Sequence, residues 1–383
     1  MADEKKPRAT EPADYEKFKT IVTSGCPGDT GAWAFADETC WMDYVDDLNA
    51  ANIQAIWNDG VYQQPMARIR SALEEVKGHF LCRDNALQMM AACAMAQANL
   101  VFLGPPGTAK SLLVRSFAKS LGVRSDNVPI EHEDEEAEKA RKPGYCPGQR
   151  RLFEYLLTRY TTPEELFGGT DINILLGGGV FCRRTSGMLP RAEIAFLDEI
   201  FKANSAILNA LLSVTNERIF YNMGQAFDVN MAFAVGASNE TPDESELGAL
   251  YDRFPIRVPC YRVPETKAKE LIESAHRFEI EKRLGGSDLK IKRKACLNDL
   301  RLLSKIVLGA AYGGSEALQM SGFGEDFMSM YLTVRRNYGV SDRTPAVVLR
   351  ICRALGLLEE APALTHKHLR PWGYVASKLD EIR

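Results

Sequence analysis

The sequence has no long hydrophobic run. None of its apolar stretches approaches the roughly 20 residues that cross a bilayer. Met1 to Pro12 is polar and charged, without the apolar centre of a signal peptide. A cytoplasmic protein is therefore expected. A surplus of positive charge is missing too. The chain carries 47 Lys and Arg against 51 Asp and Glu, a net charge of −4, which argues against nucleic acid as the partner. Cysteines number nine, and no two form a CxxC pair. Zinc-knuckle and dithiol chemistry thus have no support, and reduced, partly buried thiols are expected. The five histidines make no ligand cluster, and His366 and His368 read as surface residues. What is present, 45% hydrophobic and 26% charged residues over 383 positions, suits two or three globular domains.

One stretch organises the rest: Gly104-Pro105-Pro106-Gly107-Thr108-Ala109-Lys110-Ser111. An apolar run, Asn99 to Leu103, precedes it as a short buried strand. A helical pattern from Ser111 and Leu112 to Leu121 follows it. Strand, small-residue turn, Lys-Ser and helix form a phosphate-binding loop. A triphosphate needs several converging backbone N–H donors, and small residues let the chain approach that closely. The helix N-terminus adds partial positive charge. Lys110 is expected to reach the β- and γ-phosphates and Ser111 to hold Mg²⁺; the cofactor-binding set runs from Gly104 through Leu112 and includes Asp198. Ala109 stands where the pattern has a second Gly, and a negative φ is expected there.

Ala195-Phe196-Leu197-Asp198-Glu199 is the second key motif, an apolar strand delivering two acids at its end. Asp198 is the expected Mg²⁺ ligand and Glu199 the group that orients the attacking water, since phosphoryl transfer needs mainly positioning and charge neutralisation. A third apolar run, Asn230 to Ser238, ends at Asn239. Its amide is expected at the γ-phosphate or the lytic water, on a strand beside the one carrying Asp198.

Around these motifs the chain reads as follows. Residues 15–64 suggest a helix at Tyr15–Val22 and an aromatic-rich segment with Trp33, Phe35, Trp41 and Tyr44, read as a docking element. Residues 66–98 are helical, broken at Gly78-His79, and His79 to Leu81 is placed to cover an adenine. Residues 124–150 form a charged insertion, with six acids in Glu131–Glu138. Residues 170–187 suggest two short strands with a flexible join, 205–214 a helix capped by Ser205, and 219–229 a hairpin turning at Asn222-Met223-Gly224-Gln225. Beyond 260 the pattern is helical, with Arg343 in the first turn of a helix capped by Ser341 or Asp342.

With these stretches, Asp252-Arg253-Phe254 and Ser341-Asp342-Arg343 in one order, the chain resembles the AAA+ ATPases, more narrowly the RavA-like branch of the MoxR family. The resemblance covers about residues 66–121 and 151–358 and includes Thr158–Gly168, Thr185–Ile200, Ile207–Leu212 and Ala249–Phe254. It implies an α/β core (65–260) with a parallel sheet between helices and a small all-α lid (261–383), after an N-terminal extension (1–64). It implies Asn239 as sensor 1, Arg253 as an arginine finger acting in trans, and Arg343 as sensor 2. It places 170–187 and 219–229 at the pore of a hexameric ring. ATP and Mg²⁺ are the implied cofactors, although no base-reading motif separates ATP from GTP. The implied partner is a protein target, often with a von Willebrand A domain. A nucleic-acid motor and an ATP-gated scaffold with little turnover are the alternatives.

Overall fold

The computed structural model describes Lys19, Val22 and Val45 and residues 48–123, 152–179, 181–222, 224–240, 254–285, 291–313 and 322–375. The aromatic segment, most of the Tyr15–Val22 stretch, the 124–150 insertion and Arg253 lie outside the described residues. Helices α1 (Ala50–Asn58), α2 (Gln63–Lys77) and α3 (Asp84–Met95) precede β1 (Leu100–Leu103) and α4 (Lys110–Ser120). Next come β2 (Leu152–Leu156), the short helices α5 (Pro163–Phe167) and α6 (Ile172–Gly178), β3 (Ile194–Asp198) and α7 (Ser205–Leu212). A hairpin of β4 (Ile219–Asn222) and β5 (Gln225–Asp228) leads to β6 (Phe233–Ser238) and β7 (Ile256–Pro259). Five further helices follow: α8 (Ala268–Gly285), α9 (Leu297–Gly309), α10 (Phe323–Tyr338), α11 (Thr344–Leu358) and α12 (Pro371–Val375).

The main sheet has the order β2-β3-β6-β1-β7 and every pairing in it is parallel. Such a sheet is covered on both faces, so its strands read as unbroken apolar runs. Side chains still alternate between faces. Leu100, Phe102, Phe196, Phe233 and Val235 enter one apolar cluster, and Val101, Leu103, Ala195, Leu197 and Ala234 enter the other. The first is closed by α2, α3 and α4, the second by α7 and by Phe167, Leu189 and Phe220. Gly236 of β6 belongs to this economy of space: a Cβ there would lie 3.1 Å from Val101 Cγ2 and 3.2 Å from Ile200 Cδ1.

The C-terminal helices join the first cluster. Leu303, Ile306, Ile351 and Leu355 are fully buried in it. The Arg68 guanidinium of α2 pairs with Asp299 of α9 at 2.6 Å, and the Asp299 side chain has no exposure. Asp299 also accepts from Cys296 N, while Arg70 donates to the carbonyls of Leu357 and Leu358. Trp372 packs against Phe327 with the rings tilted and their centroids 5.2 Å apart.

Three local expectations are corrected. Residues 170–187 do not form two strands. Asp171 accepts from the N–H groups of Asn173 and Ile174 and caps α6, and the extended part is a single antiparallel bridge of Thr170 with Arg183. An Asp followed by five residues without Pro can satisfy a helix start locally, whereas two isolated strands would leave their outer backbone groups unpaired. The cap of α7 is Asn204, whose side chain accepts from Ile207 N, and Ser205 is the first helical residue. His368 is buried, not on the surface: its Nδ1 accepts from Thr365 N at 2.9 Å, and burial holds its pKa below the usual imidazole value. The 219–229 hairpin is observed as expected. Of the nine cysteines, the six described are free thiols and four of them are buried.

Removing one partner of a buried ion pair leaves an uncompensated charge, a cost of about 3–5 kcal/mol. Asp299→Ala is expected to lower stability by about that amount. An unchanged denaturant midpoint would refute the linkage of α2 to α9.

Candidate nucleotide site

Register decides where the chemistry can stand. Leu103 pairs with Ser238, and Leu197 pairs with Gly236. The C-terminal ends of β1, β6 and β3 are therefore level, and the residues that follow them emerge at one edge of the sheet. Those residues are the 104–109 loop, Asn239, and Asp198-Glu199. In open α/β sheets this edge is where ligands bind.

The loop is held by its own polar groups. Gly104 N donates to Ser238 O at 3.2 Å. A Cβ on Gly104 would lie 2.3 Å from Cys260 O, so no larger residue fits there. Thr108 Oγ1 donates back to Pro105 O at 3.0 Å. Ala109 has φ 62° and ψ 27°, left-handed rather than the negative φ expected, and stands just before α4. A non-glycine residue in that region costs about 1–2 kcal/mol. The strain is held by tertiary contacts that fix both neighbours of Ala109. Lys110, Ser111 and Leu112 open α4, and first-turn N–H groups have no carbonyl partner within their helix. Free first-turn N–H groups of this kind are the donors an anion requires.

Lys110 Nζ donates to Gly104 O at 2.7 Å, to Pro105 O at 3.1 Å and to Asn239 Oδ1 at 2.8 Å. The Asn239 amide nitrogen in turn donates to Glu199 Oε1. Three separate motifs thus meet through one amide. Glu199 is buried and left-handed at φ 52°. Its second oxygen, Oε2, accepts no hydrogen bond among the described residues and stands 3.4 Å from Lys202 Nζ. Asp198 Oδ1 accepts from Glu199 N at 3.0 Å. Burial lowers the pKa of the Lys110 ammonium, with Cys260, Asp198 and Glu199 opposing the shift and Arg83 adding to it. The Cys260 thiol beside it is pushed up to about 11 by burial.

Ser111 is half-buried and Asp198 partly exposed, and both offer the hard oxygen ligands that Mg²⁺ prefers. Among the described residues no group of three His, Cys, Asp or Glu side chains could hold a metal unaided. Two protein oxygens are a fitting set for a cation that keeps waters and phosphate oxygens.

Among the described residues Arg343 stands outside this hydrogen-bond network. Arg343 is itself the cap residue of α11, in place of Ser341 or Asp342. Its side chain is exposed, and among the described residues no hydrogen bond joins it to the loop. Three neighbours of the site had no signature of their own: Arg83, Lys202 and Cys260. Arg83 is buried and donates to Thr108 O, Cys82 O and Tyr261 O at 3.0, 2.9 and 2.8 Å.

Away from the loop, the α6 segment and the hairpin are tied together. Asn222 Oδ1 accepts from Arg183 N at 3.0 Å, and its Nδ2 donates to Arg183 O at 3.3 Å. Arg183 also donates to Gly168 O at 2.8 Å. Gly168 itself, at φ 93°, is a required glycine, because a Cβ would lie 1.9 Å from Arg184 O. Leu176, Phe181 and Tyr221 on these two elements are exposed.

Two expected outcomes test this geometry. Gly104→Ala drives a methyl group into the Cys260 carbonyl and should cost about 1–3 kcal/mol; a wild-type unfolding midpoint would contradict the close approach. Asn239→Asp replaces the Glu199 donor with a like charge. Glu199 Oε1 then loses its donor and meets a second carboxylate, and thermal unfolding should show a loss of about 1–3 kcal/mol. A wild-type midpoint would overturn the assignment.

Comparison with known proteins agrees with the geometry. A family model described as the MoxR domain in the MoxR-vWA-beta-propeller ternary systems matches residues 67–128 and 146–300, more than half of the chain. Two uncharacterised proteins of Methanocaldococcus jannaschii are similar. One is 42% identical over 192 residues, 50% of this chain and 43% of the relative; the other is 43% identical over 184 residues, 48% and 42%. The chain thus spans less than half the length of these curated relatives. Among solved structures, a "putative ATPase" from Cytophaga hutchinsonii shares the fold with a TM-score of 0.57 at 13% identity, over 82% of this chain and 86% of that one. A chain with this sheet order, this loop and this family match over most of its core belongs to the MoxR-type AAA+ ATPase family.

Proposed function

We propose that the chain is a Mg²⁺-dependent ATPase that works in a ring and spends hydrolysis on remodelling or activating a protein partner. The observation that carries this reading is the Lys110–Asn239–Glu199 connection at the end of β1, β6 and β3. Phosphoryl transfer asks the protein for placement and charge more than for covalent chemistry. The loop N–H groups and Lys110 would bind the phosphates. Ser111 and Asp198 would hold Mg²⁺, which neutralises phosphate charge when bound. Glu199 would orient the attacking water, and Asn239 would hold that carboxylate in place. Arg253 from a neighbouring subunit and Arg343 would add positive charge at the γ-phosphate.

The family model's description supports a von Willebrand A domain protein as the partner. The exposed apolar residues Leu176, Phe181 and Tyr221 on the joined α6 and hairpin elements support contact with protein rather than with nucleic acid. The RavA-like placement, the hexamer and the division into core (65–260) and lid (261–383) rest on the motif resemblance. No helix among the described residues is long and apolar enough to cross a membrane; a cytoplasmic location is part of the proposal.

Glu199→Gln should keep ATP binding and lose turnover by about 100-fold or more, whereas Lys110→Ala should lose binding. Radiolabelled ATP binding with phosphate release measures both. Equal turnover in wild type and Glu199→Gln would favour the scaffold reading. Mass measurement of Glu199→Gln with ATP and Mg²⁺ should show a ring, and monomers alone would refute it.

A further inference from the structure

We infer that Arg83 is a positioning residue for the phosphate loop, one that locks the loop to the segment leaving β7. The inference rests on the nucleotide site proposed above. Arg83 stands before α3, outside every motif of that site, and is only 7% exposed. A guanidinium so deeply buried is almost always paired with an acid or used. Here its hydrogen bonds go to three backbone carbonyls: Thr108 of the loop, Cys82 of the segment before α3, and Tyr261 just beyond β7. Among the described residues it has no carboxylate partner.

The three acceptors belong to three chain segments, the loop, the residues before α3 and the exit of β7. Thr108 directly precedes the strained Ala109, so the Arg83 bond fixes the peptide plane on which the left-handed turn depends. The Tyr261 bond fixes the other side. Cys260, next to Tyr261, donates from its N–H to Leu103 O at 2.7 Å, and its carbonyl sets the floor under Gly104. The loop is thus gripped at both ends by one short segment, and Arg83 closes the grip. Its charge, uncancelled by an acid, lies near enough to Lys110 to oppose protonation there. The same charge favours an anion on the loop. A planar fork with donors in fixed directions suits three diverging carbonyls, and an ammonium on a flexible stem does not. The chain beyond Tyr261 leads to the C-terminal helices, so a phosphate-driven shift of the Thr108 peptide would pass through Arg83 to that exit.

The test compares Arg83→Lys and Arg83→Met with Lys110→Ala, using a fluorescent ADP analogue, ATP turnover and thermal unfolding with and without ADP. Both Arg83 variants should bind ADP about tenfold more weakly or worse, with a smaller fall in kcat at saturating ATP than in kcat/KM. The unfolding shift produced by ADP should shrink more than the ligand-free midpoint falls. A role in stability alone would lower the ligand-free midpoint and leave affinity within twofold, which overturns the inference. Recovery of wild-type affinity by Arg83→Lys overturns the fork geometry. If Lys110→Ala also binds normally, the site itself is wrong rather than the role of Arg83. A measurement on the wild type avoids any folding defect: ADP should slow amide hydrogen exchange in 82–84 and 260–262 together with 104–112. Protection confined to the loop would refute the coupling.

Discussion

The level ends of three parallel strands are the constraint on which the site depends. Parallel pairing with no slip between β1 and β6 carries Gly104 and Asn239 to the same height, and the β3–β6 pairing brings Asp198-Glu199 beside them. A one-residue slip would turn every side chain of β6 to the opposite face. Phe233 and Val235 could not make that exchange with Ala234 and Gly236. One face needs their bulk, while the other has only 3.1 Å to spare for a Cβ at Gly236. Packing of the two apolar faces therefore enforces the register, and the register assembles the polar edge.

The loop adds a second layer to the same logic. Its left-handed residues, Gly107 and Ala109, and the left-handed Glu199 sit at the sheet edge where neighbouring strands supply rigid anchors. Strain of this kind persists only where the surroundings over-determine the backbone. The anchors are Ser238 at the end of β6, Cys260 just past β7, and Arg83 just before α3. None of them lies within the loop's own eight residues, so the loop's shape is a property of the sheet rather than of the Gly-Pro-Pro-Gly sequence alone.

This explains what could be read directly and what could not. Apolar runs, the spacing of small residues and the Lys-Ser pair report local geometry, so the strands, the helix after the loop and the paired acids were legible. The adjacency of β6 to β3 followed from the motifs in order. Ala109 misled because its side chain says nothing against a negative φ; the positive φ comes from distant anchors. The 170–187 segment misled because β-branched and glycine-rich composition outweighed one capping Asp171. His368 looked like surface because a polar residue in a short polar run carries no sign of the Glu359 and Thr365 groups folded over it. Arg83 was invisible for a related reason: its acceptors are backbone carbonyls, which leave no trace in residue identity.

Strand order also arranges charge. With β6 between β3 and β1, Asn239 lies between Glu199 on one side and Lys110 on the other. A lysine can only donate and an ionised glutamate can only accept. The group between them must therefore accept on one side and donate on the other, and remain neutral. A carboxylate would oppose Glu199, an ammonium would oppose Lys110, and an aliphatic side chain would leave Glu199 Oε1 without its donor and Lys110 with only the Gly104 and Pro105 carbonyls. An amide meets all three requirements, and its orientation is fixed by its neighbours. Lys110 and Arg83 then stand on the loop side, and the carboxylates of Asp198 and Glu199, with Lys202 beside them, stand on the β3 side. On the proposed function, a polyanion would be drawn to the first side and a metal ion or a polarised water to the second. That separation follows from the order of the strands, and it gives the site a direction before any ligand enters.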